Sequence, residues 1–196
     1  MIIYIHGFAS AGEGEKPKNL REVFGDTHRV ISPTLPVDPF EAIKMLKHLV
    51  RENAEAAKFY DERIIVAGTS LGGFYALYLA TVFDLPALLI NPATNPAESL
   101  KSRIGTHTNY KTGEEFELTS EHIKRFAELK TKIDDTEKTY ADIKVLLGTN
   151  DDVLDINTSK EYLKYSETFE YDTDHRFAIF NEVIRENEKL QRIFTD

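Results

Sequence analysis

The chain has 196 residues, enough for one domain at roughly 150 residues each, and its 41% hydrophobic and 29% charged residues suit a packed core, not disorder. It contains no cysteine, which excludes disulfides, a thiolate nucleophile and Cys-ligated zinc or iron-sulfur sites. The net charge of −9, from 24 Lys and Arg against 33 Asp and Glu, disfavours nucleic acid and anionic membranes as partners.

The first strand is expected at Ile2, Ile3, Tyr4 and Ile5, which run straight into a His6-Gly7-Phe8 loop. After a polar loop over 11–16, Pro17 opens a helix whose stripe of Leu20, Val23 and Phe24 stops at Gly25. A second β-branched run over 29–35 is broken by Pro33 and followed by Pro36. Asp38-Pro39-Phe40-Glu41 then supplies an N-cap, a first-turn proline and a capping-box glutamate for a helix to about Phe59. Phe40, Ile43, Met45, Leu46, Leu49 and Val50 form its core stripe.

Ile64-Ile65-Val66-Ala67 is a continuous apolar run, as in a strand buried on both faces, and 74–83 reads as a helix apolar nearly all round. That pair belongs at the centre of the domain. Further strands are expected over 86–91, 143–147 and 168–171, before a final helix carrying Phe177, Phe180, Ile184, Leu190 and Ile193. The alternation implies one α/β domain over 1–196, built on a parallel sheet with its ligand site at the strands' carboxyl ends. Between 92 and 141 the alternation lapses. This stretch reads as an insert or cap with one clear helix over 121–133, whose Ile123, Phe126 and Leu129 are expected to cover the site. No apolar run reaches the roughly 20 residues of a membrane span and no signal-peptide pattern is present, so a cytoplasmic location is expected.

Gly68-Thr69-Ser70-Leu71-Gly72 matches G-x-S-x-G, in which a tight strand-to-helix turn lifts a serine hydroxyl above the sheet. A buried strand before it and an apolar helix after it are the context that chemistry requires. A serine hydroxyl is a weak nucleophile and needs a histidine to take its proton and a carboxylate to orient that histidine. His175, directly after the last strand, is the candidate base, while His28, His48, His107 and His122 read as surface or structural. The acid is expected on the loop after the fifth strand. Asp151 is preferred there over Asp152, with Asp155, Asp172 and Asp174 as outside alternatives; capping of a following helix is the structural reading of either aspartate.

The oxyanion of a tetrahedral intermediate needs two backbone N–H donors, and Leu71 and Phe8 are placed to supply them, with His6 shaping the loop. Phe8, Leu71, Tyr110 and Phe116 are expected against the substrate. No His-Glu-x-x-His segment suggests a metal, and the glycines from Gly7 to Gly14 lack the G-x-G-x-x-G spacing, so neither metal nor cofactor is expected.

The strand ending in His6-Gly7-Phe8, the Gly68-x-Ser70-x-Gly72 turn, Gly148-x-x-Asp151 and Asp174-His175, in the order Ser, Asp, His, resemble the α/β-hydrolase superfamily. The opening from Met1 through Phe8, the phrase Asp151-Asp152-Val153-Leu154-Asp155 and the final His175 are more narrowly similar to small bacterial esterases of an uncharacterised protein family, over nearly the whole chain. The resemblance implies a three-layer fold without the superfamily's first two strands, with about six mostly parallel strands and hydrolysis of short-chain carboxylic esters or thioesters. Some relatives of this length lack the serine; Ser70 is present here, which favours an active enzyme over a non-catalytic binding protein of the same fold.

Overall fold

The computed structural model describes residues 1–60, 62–136 and 142–195. In chain order its elements are β1 (Ile2–Ile5), α1 (Glu15–Phe24), β2 (Val30–Ile31), α2 (Pro39–Phe59), β3 (Ile65–Thr69), α3 (Leu71–Phe83), β4 (Ala87–Ile90) and α4 (Pro96–Ser99). There follow β5 (Gly105–Thr108), β6 (Glu115–Leu118), α5 (Ser120–Asp134), β7 (Ile143–Gly148), α6 (Ile156–Tyr162), β8 (Glu167–Tyr171), α7 (Phe180–Glu186) and α8 (Glu188–Thr195).

Six strands form one sheet in the order β2-β1-β3-β4-β7-β8, and every neighbouring pair is parallel. Successive side chains on a strand point to opposite faces, so the continuous apolar runs feed two cores. Ile3, Ile5, Val66, Leu89, Val145 and Leu147 join one core with residues of α2, α3 and α5. Ile2, Tyr4, Ile65, Leu88, Ile90 and Leu146 join the other with residues of α1, α7 and α8. Each fully buried Ile or Leu contributes about 1.5–3 kcal/mol. Helix α3 is buried at every position from Leu71 through Ala80, because it lies between the central strands and α5.

Several expectations change in detail. The second strand shrinks to two residues at the sheet edge, since Pro33 and Pro36 prevent the remainder from holding a ladder. Helix α1 begins at Glu15, with Pro17 in the first turn, where no intrahelical N–H is needed. Asp38 caps α2 as expected, accepting from the N–H of Phe40 and Glu41. Met45, however, is 42% exposed and outside the core stripe. The final helix is two: Asn187 interrupts it, its side-chain oxygen accepting from Leu190 N–H at 3.0 Å, and Phe177 precedes both pieces at φ 52°.

Between β4 and β7 the chain holds more than one helix. An antiparallel hairpin, β5 with β6, precedes α5, and α4 lies ahead of both. The Thr119 hydroxyl accepts from His122 N–H while His122 Nδ1 accepts from Thr119 N–H, closing a capping box at the start of α5. Phe126, Leu129 and Ile133 of α5 are buried in the chain's own core. The expected end of this segment, at 141, lies outside the described residues.

Candidate active site

Ser70 follows β3 directly and has φ 55° and ψ −119°, a conformation that costs a non-glycine residue about 1–3 kcal/mol. The turn is held from several sides. Ser70 N–H donates to Ile90 O at 3.0 Å, and Ser70 O accepts from the N–H of Gly73 at 2.9 Å and Ala93 at 3.0 Å. The glycines have a steric reason. A Cβ on Gly68 would stand 2.1 Å from Gly72 O, and one on Gly72 would stand 2.0 Å from Ile5 O, so β1, β3 and α3 meet backbone to backbone.

His175, on the loop after β8, places Nε2 3.0 Å from Ser70 Oγ and Nδ1 2.7 Å from Asp151 Oδ2. Asp151 also accepts from the N–H of Val153 at 2.9 Å and Leu154 at 2.8 Å. Burial favours the neutral acid, but the His175 hydrogen bond and these two N–H groups outweigh it and hold the carboxyl below its ordinary range. With Asp151 ionised, Nδ1 keeps its proton and Nε2 is left to accept one from Ser70.

The other aspartates are engaged elsewhere or exposed. Asp152 faces solvent, Asp155 caps α6, Asp172 accepts from the Asn150 side chain, and Asp174 accepts from Phe177 N–H at 3.2 Å. The helix-cap role considered for Asp151 or Asp152 therefore belongs to Asp155.

Asn91 is the residue the sequence reading missed. It directly follows β4, is 2% exposed, and has φ 40°. Its Oδ1 accepts from Gly148 N–H at 2.7 Å, while Nδ2 donates to the carbonyls of Asp174 and His175, both at 3.1 Å. One buried amide thus ties the loop bearing Asp151 to the loop bearing His175. Lys16 supports the latter loop from outside by donating to Arg176 O; burial pushes its ammonium down to about 8, against the opposing pull of Asp174.

His6 is fixed by two hydrogen bonds. Leu35 N–H donates to Nε2 at 3.0 Å, so Nδ1 carries the proton and donates to Gly7 O at 2.8 Å. Burial lowers the ring's proton affinity, and the neutral imidazole pins the β1 loop to the chain beyond β2. Phe8 N–H and Leu71 N–H have no hydrogen-bond acceptor among the described residues, Leu71 being the first residue of α3.

A cavity of about 60 Å³ lies beside these two residues, lined by Phe8, Leu71, Tyr75, Phe116, Leu118 and Phe126 among others. Phe8 and Phe116, both expected against a substrate, line this cavity. Tyr110 does not line the cavity: it is 69% exposed and reaches the site region only through its N–H, which donates to Ala9 O at 3.0 Å. The ring of His107 lies 5.0 Å from Phe8 and 5.6 Å from Phe116, giving a three-ring contact between the β1 loop and the hairpin. Among the described residues no three His, Asp or Glu side chains are disposed to hold a metal ion, and no helix is long and apolar enough to cross a membrane.

The model of an uncharacterised protein family, UPF0227, matches residues 1–192. The chain belongs to UPF0227. A UPF0227 protein of Shewanella sp. (strain MR-4) is 26% identical to it over 182 residues, spanning 90% of this chain and 91% of its own. The fold of this UPF0227 protein is that of the α/β-hydrolases. A monoacylglycerol lipase of Paleococcus ferrophilus superposes with a TM-score of 0.73 at 13% identity, covering 99% of this chain and 93% of that one. Mouse alpha/beta hydrolase domain-containing protein 10 superposes with a TM-score of 0.67 at 17% identity, covering 97% and 89%.

Proposed function

We propose that this UPF0227 protein is a serine hydrolase of short-chain carboxylic esters or thioesters, acting through Ser70, His175 and Asp151 by way of an acyl-enzyme. The observation that carries this reading is the unbroken path from Ser70 Oγ to His175 at 3.0 Å and on to Asp151 at 2.7 Å, at the carboxyl ends of the parallel strands. His175 Nε2 takes the Ser70 proton as Oγ attacks the acyl carbonyl, and the N–H groups of Phe8 and Leu71 receive the oxyanion. His175 then returns the proton to the departing alcohol or thiol. Water, deprotonated by the same nitrogen, releases the acid and restores Ser70.

Asn91 positions both partners of Ser70 through their loops, and the segment over 92–141 acts as a cap, its hairpin and α5 forming one wall of the acyl cavity. One water occupies about 10–15 Å³ on this scale, so 60 Å³ admits only a handful of non-hydrogen atoms. Short acyl chains fit that size, and the substrate partner is a small-molecule ester.

The test is hydrolysis of p-nitrophenyl esters from acetate to palmitate by the wild type and Ser70→Ala, with fluorophosphonate labelling of both. Acetate to butyrate should be preferred, and Ser70→Ala should lose at least about a thousandfold in turnover with an unchanged melting temperature. Full activity in that variant removes Ser70 from the chemistry. No hydrolysis and no labelling of the wild type would instead make the protein a binding module on this fold.

A further inference from the structure

Three tyrosines are buried among the described residues: Tyr4 Oη lies 3.0 Å from Thr69 Oγ1, whereas the hydroxyls of Tyr75 and Tyr78 have no described partner, and of these two only Tyr75 lines the cavity beside Phe8 and Leu71. Tyr75 is 2% exposed, yet no described residue is a hydrogen-bond partner for its hydroxyl. Nor is that hydroxyl sealed in protein, because Ser166 Oγ alone is a fully enclosed side-chain polar atom without a partner among the described residues. The Tyr75 oxygen therefore meets open space, and the space its residue lines is the acyl cavity. Buried tyrosine hydroxyls normally find a partner, and one left without gains by meeting a ligand.

Its position says which part of a ligand. Tyr75 stands four residues after Leu71 on α3, on the same helix face and about 6 Å farther from the Ser70 end. An acyl chain whose carbonyl oxygen sits at Leu71 N–H covers that distance in roughly four chain atoms. Leu118 and Phe126 near it are apolar; His6, Ser10 and Asn109 also line the cavity, and the side chains of His6 and Asn109 are already hydrogen-bonded within the protein. Burial, and then the charge of Asp38, make the Tyr75 hydroxyl harder to ionise, so it stays a donor throughout the neutral range. The same Asp38 charge acts against an anionic tail.

We propose that the Tyr75 hydroxyl is a polar subsite for the acyl chain, donating a hydrogen bond to a neutral oxygen, a ketone, ether or hydroxyl, about three to five atoms from the scissile carbonyl. This rests on reading Ser70 as the nucleophile. It makes the preferred substrates short oxygenated acyl esters over plain alkyl ones of equal length.

The experiment compares kcat/KM for two matched pairs of p-nitrophenyl esters, 3-methoxypropanoate with pentanoate and 4-oxopentanoate with pentanoate, in the wild type and Tyr75→Phe. The oxygen changes the intrinsic reactivity of each ester, but that effect cancels when the oxygenated-to-alkyl ratio of the wild type is divided by that of the variant. The quotient should be at least about fivefold in one pair. Tyr75→Phe removes a hydroxyl with no hydrogen-bond partner among the described residues, so it should melt no lower than the wild type. NMR titration with 4-oxopentanamide and pentanamide, which need no turnover, should show the same preference in the wild type and its loss in Tyr75→Phe. Ester turnover with unchanged ratios overturns the subsite and leaves the hydrolase. An amide preference that vanishes in Tyr75→Phe, with no ester hydrolysed, keeps the subsite and overturns the hydrolase. Where no ester is hydrolysed and the two amides behave alike, both fall.

Discussion

Around Ser70, on the sheet side of the site, backbone meets backbone: Gly68 and Gly72 leave no room for a Cβ, and Ser70 is held in a strained conformation by bonds to Ile90, Gly73 and Ala93. On the cap side, the β5–β6 hairpin meets Phe8 through the rings of His107 and Phe116, and its glycines, Gly105 and Gly113, have nothing within 4 Å of where a Cβ would be. Backbone packing has one solution and fixes Ser70 in place. Ring packing has many near-equal solutions, and it shapes the cavity beside Phe8 and Leu71.

The sharpest break of this contrast is Gly72→Ala. Its Cβ would fall 2.0 Å from Ile5 O, so we expect a loss of more than about 4 kcal/mol, or no folded protein at all, in urea unfolding. A variant melting like the wild type would mean the three elements do not meet this closely.

Asn91→Ala comes next. It strands the buried N–H of Gly148 and frees two loops, which should cost about 1–3 kcal/mol in stability. Turnover should fall by roughly 10- to 100-fold with KM nearly constant, because the residue orients the base without touching substrate. A raised KM at unchanged kcat would move Asn91 out of that role.

The Asp151 carboxyl titrates below its ordinary range in the folded chain, so the unfolded chain binds this proton more readily. Its contribution is full above the unfolded value near 3.9 and is lost as pH falls through the folded value. The melting-temperature gap between the wild type and Asp151→Asn should therefore narrow from about pH 5 downward; a gap constant to pH 3 contradicts the hydrogen-bond account.

On the cap side effects are smaller. Phe116→Ala should cost about 1 kcal/mol in stability and shift the preferred acyl length upward by one or two carbons, read from the ester series. An unchanged length profile would remove Phe116 from the cavity wall. Gly113→Ala, at φ 76° in open space, should cost about 1–2 kcal/mol in thermal melts, from backbone strain alone.

The same contrast separates what was legible in the sequence from what was not. The serine turn, the Asp38 cap of α2 and the order Ser70, Asp151, His175 follow from short-range rules: a strand, a tight turn and a helix can be read within about fifteen residues. The role of Asn91 could not be read that way. It exists because β4 lies between β3 and β7, a fact of sheet order, and the available signal was only an asparagine at a strand's carboxyl end.

The hairpin was hidden for a different reason. Its strands, Gly-Thr-His-Thr and Glu-Phe-Glu-Leu, are half solvated and polar, and no Asn-Gly or Asp-Gly pair joins them. Tyr110, an aromatic of the insert expected against the substrate, falls between those strands and is 69% exposed. The break at Asn187 did have a signal, an asparagine three residues before Leu190, and the apolar period running through it concealed the second start.

The contact between Ser70 and His175 spans 105 positions of chain, and the Asn91 amide reaches residues 57, 83 and 84 positions away. Contacts between residues so far apart in the chain are expected to close after the local helices have formed. On the proposed mechanism, a chain emerging during synthesis carries the Ser70 turn long before His175, and Ser70 gains its base only when the last strand docks. Recovery of fluorophosphonate labelling on refolding should accordingly trail recovery of the far-ultraviolet helix signal, making reactivity at Ser70 a clock for completion of the sheet.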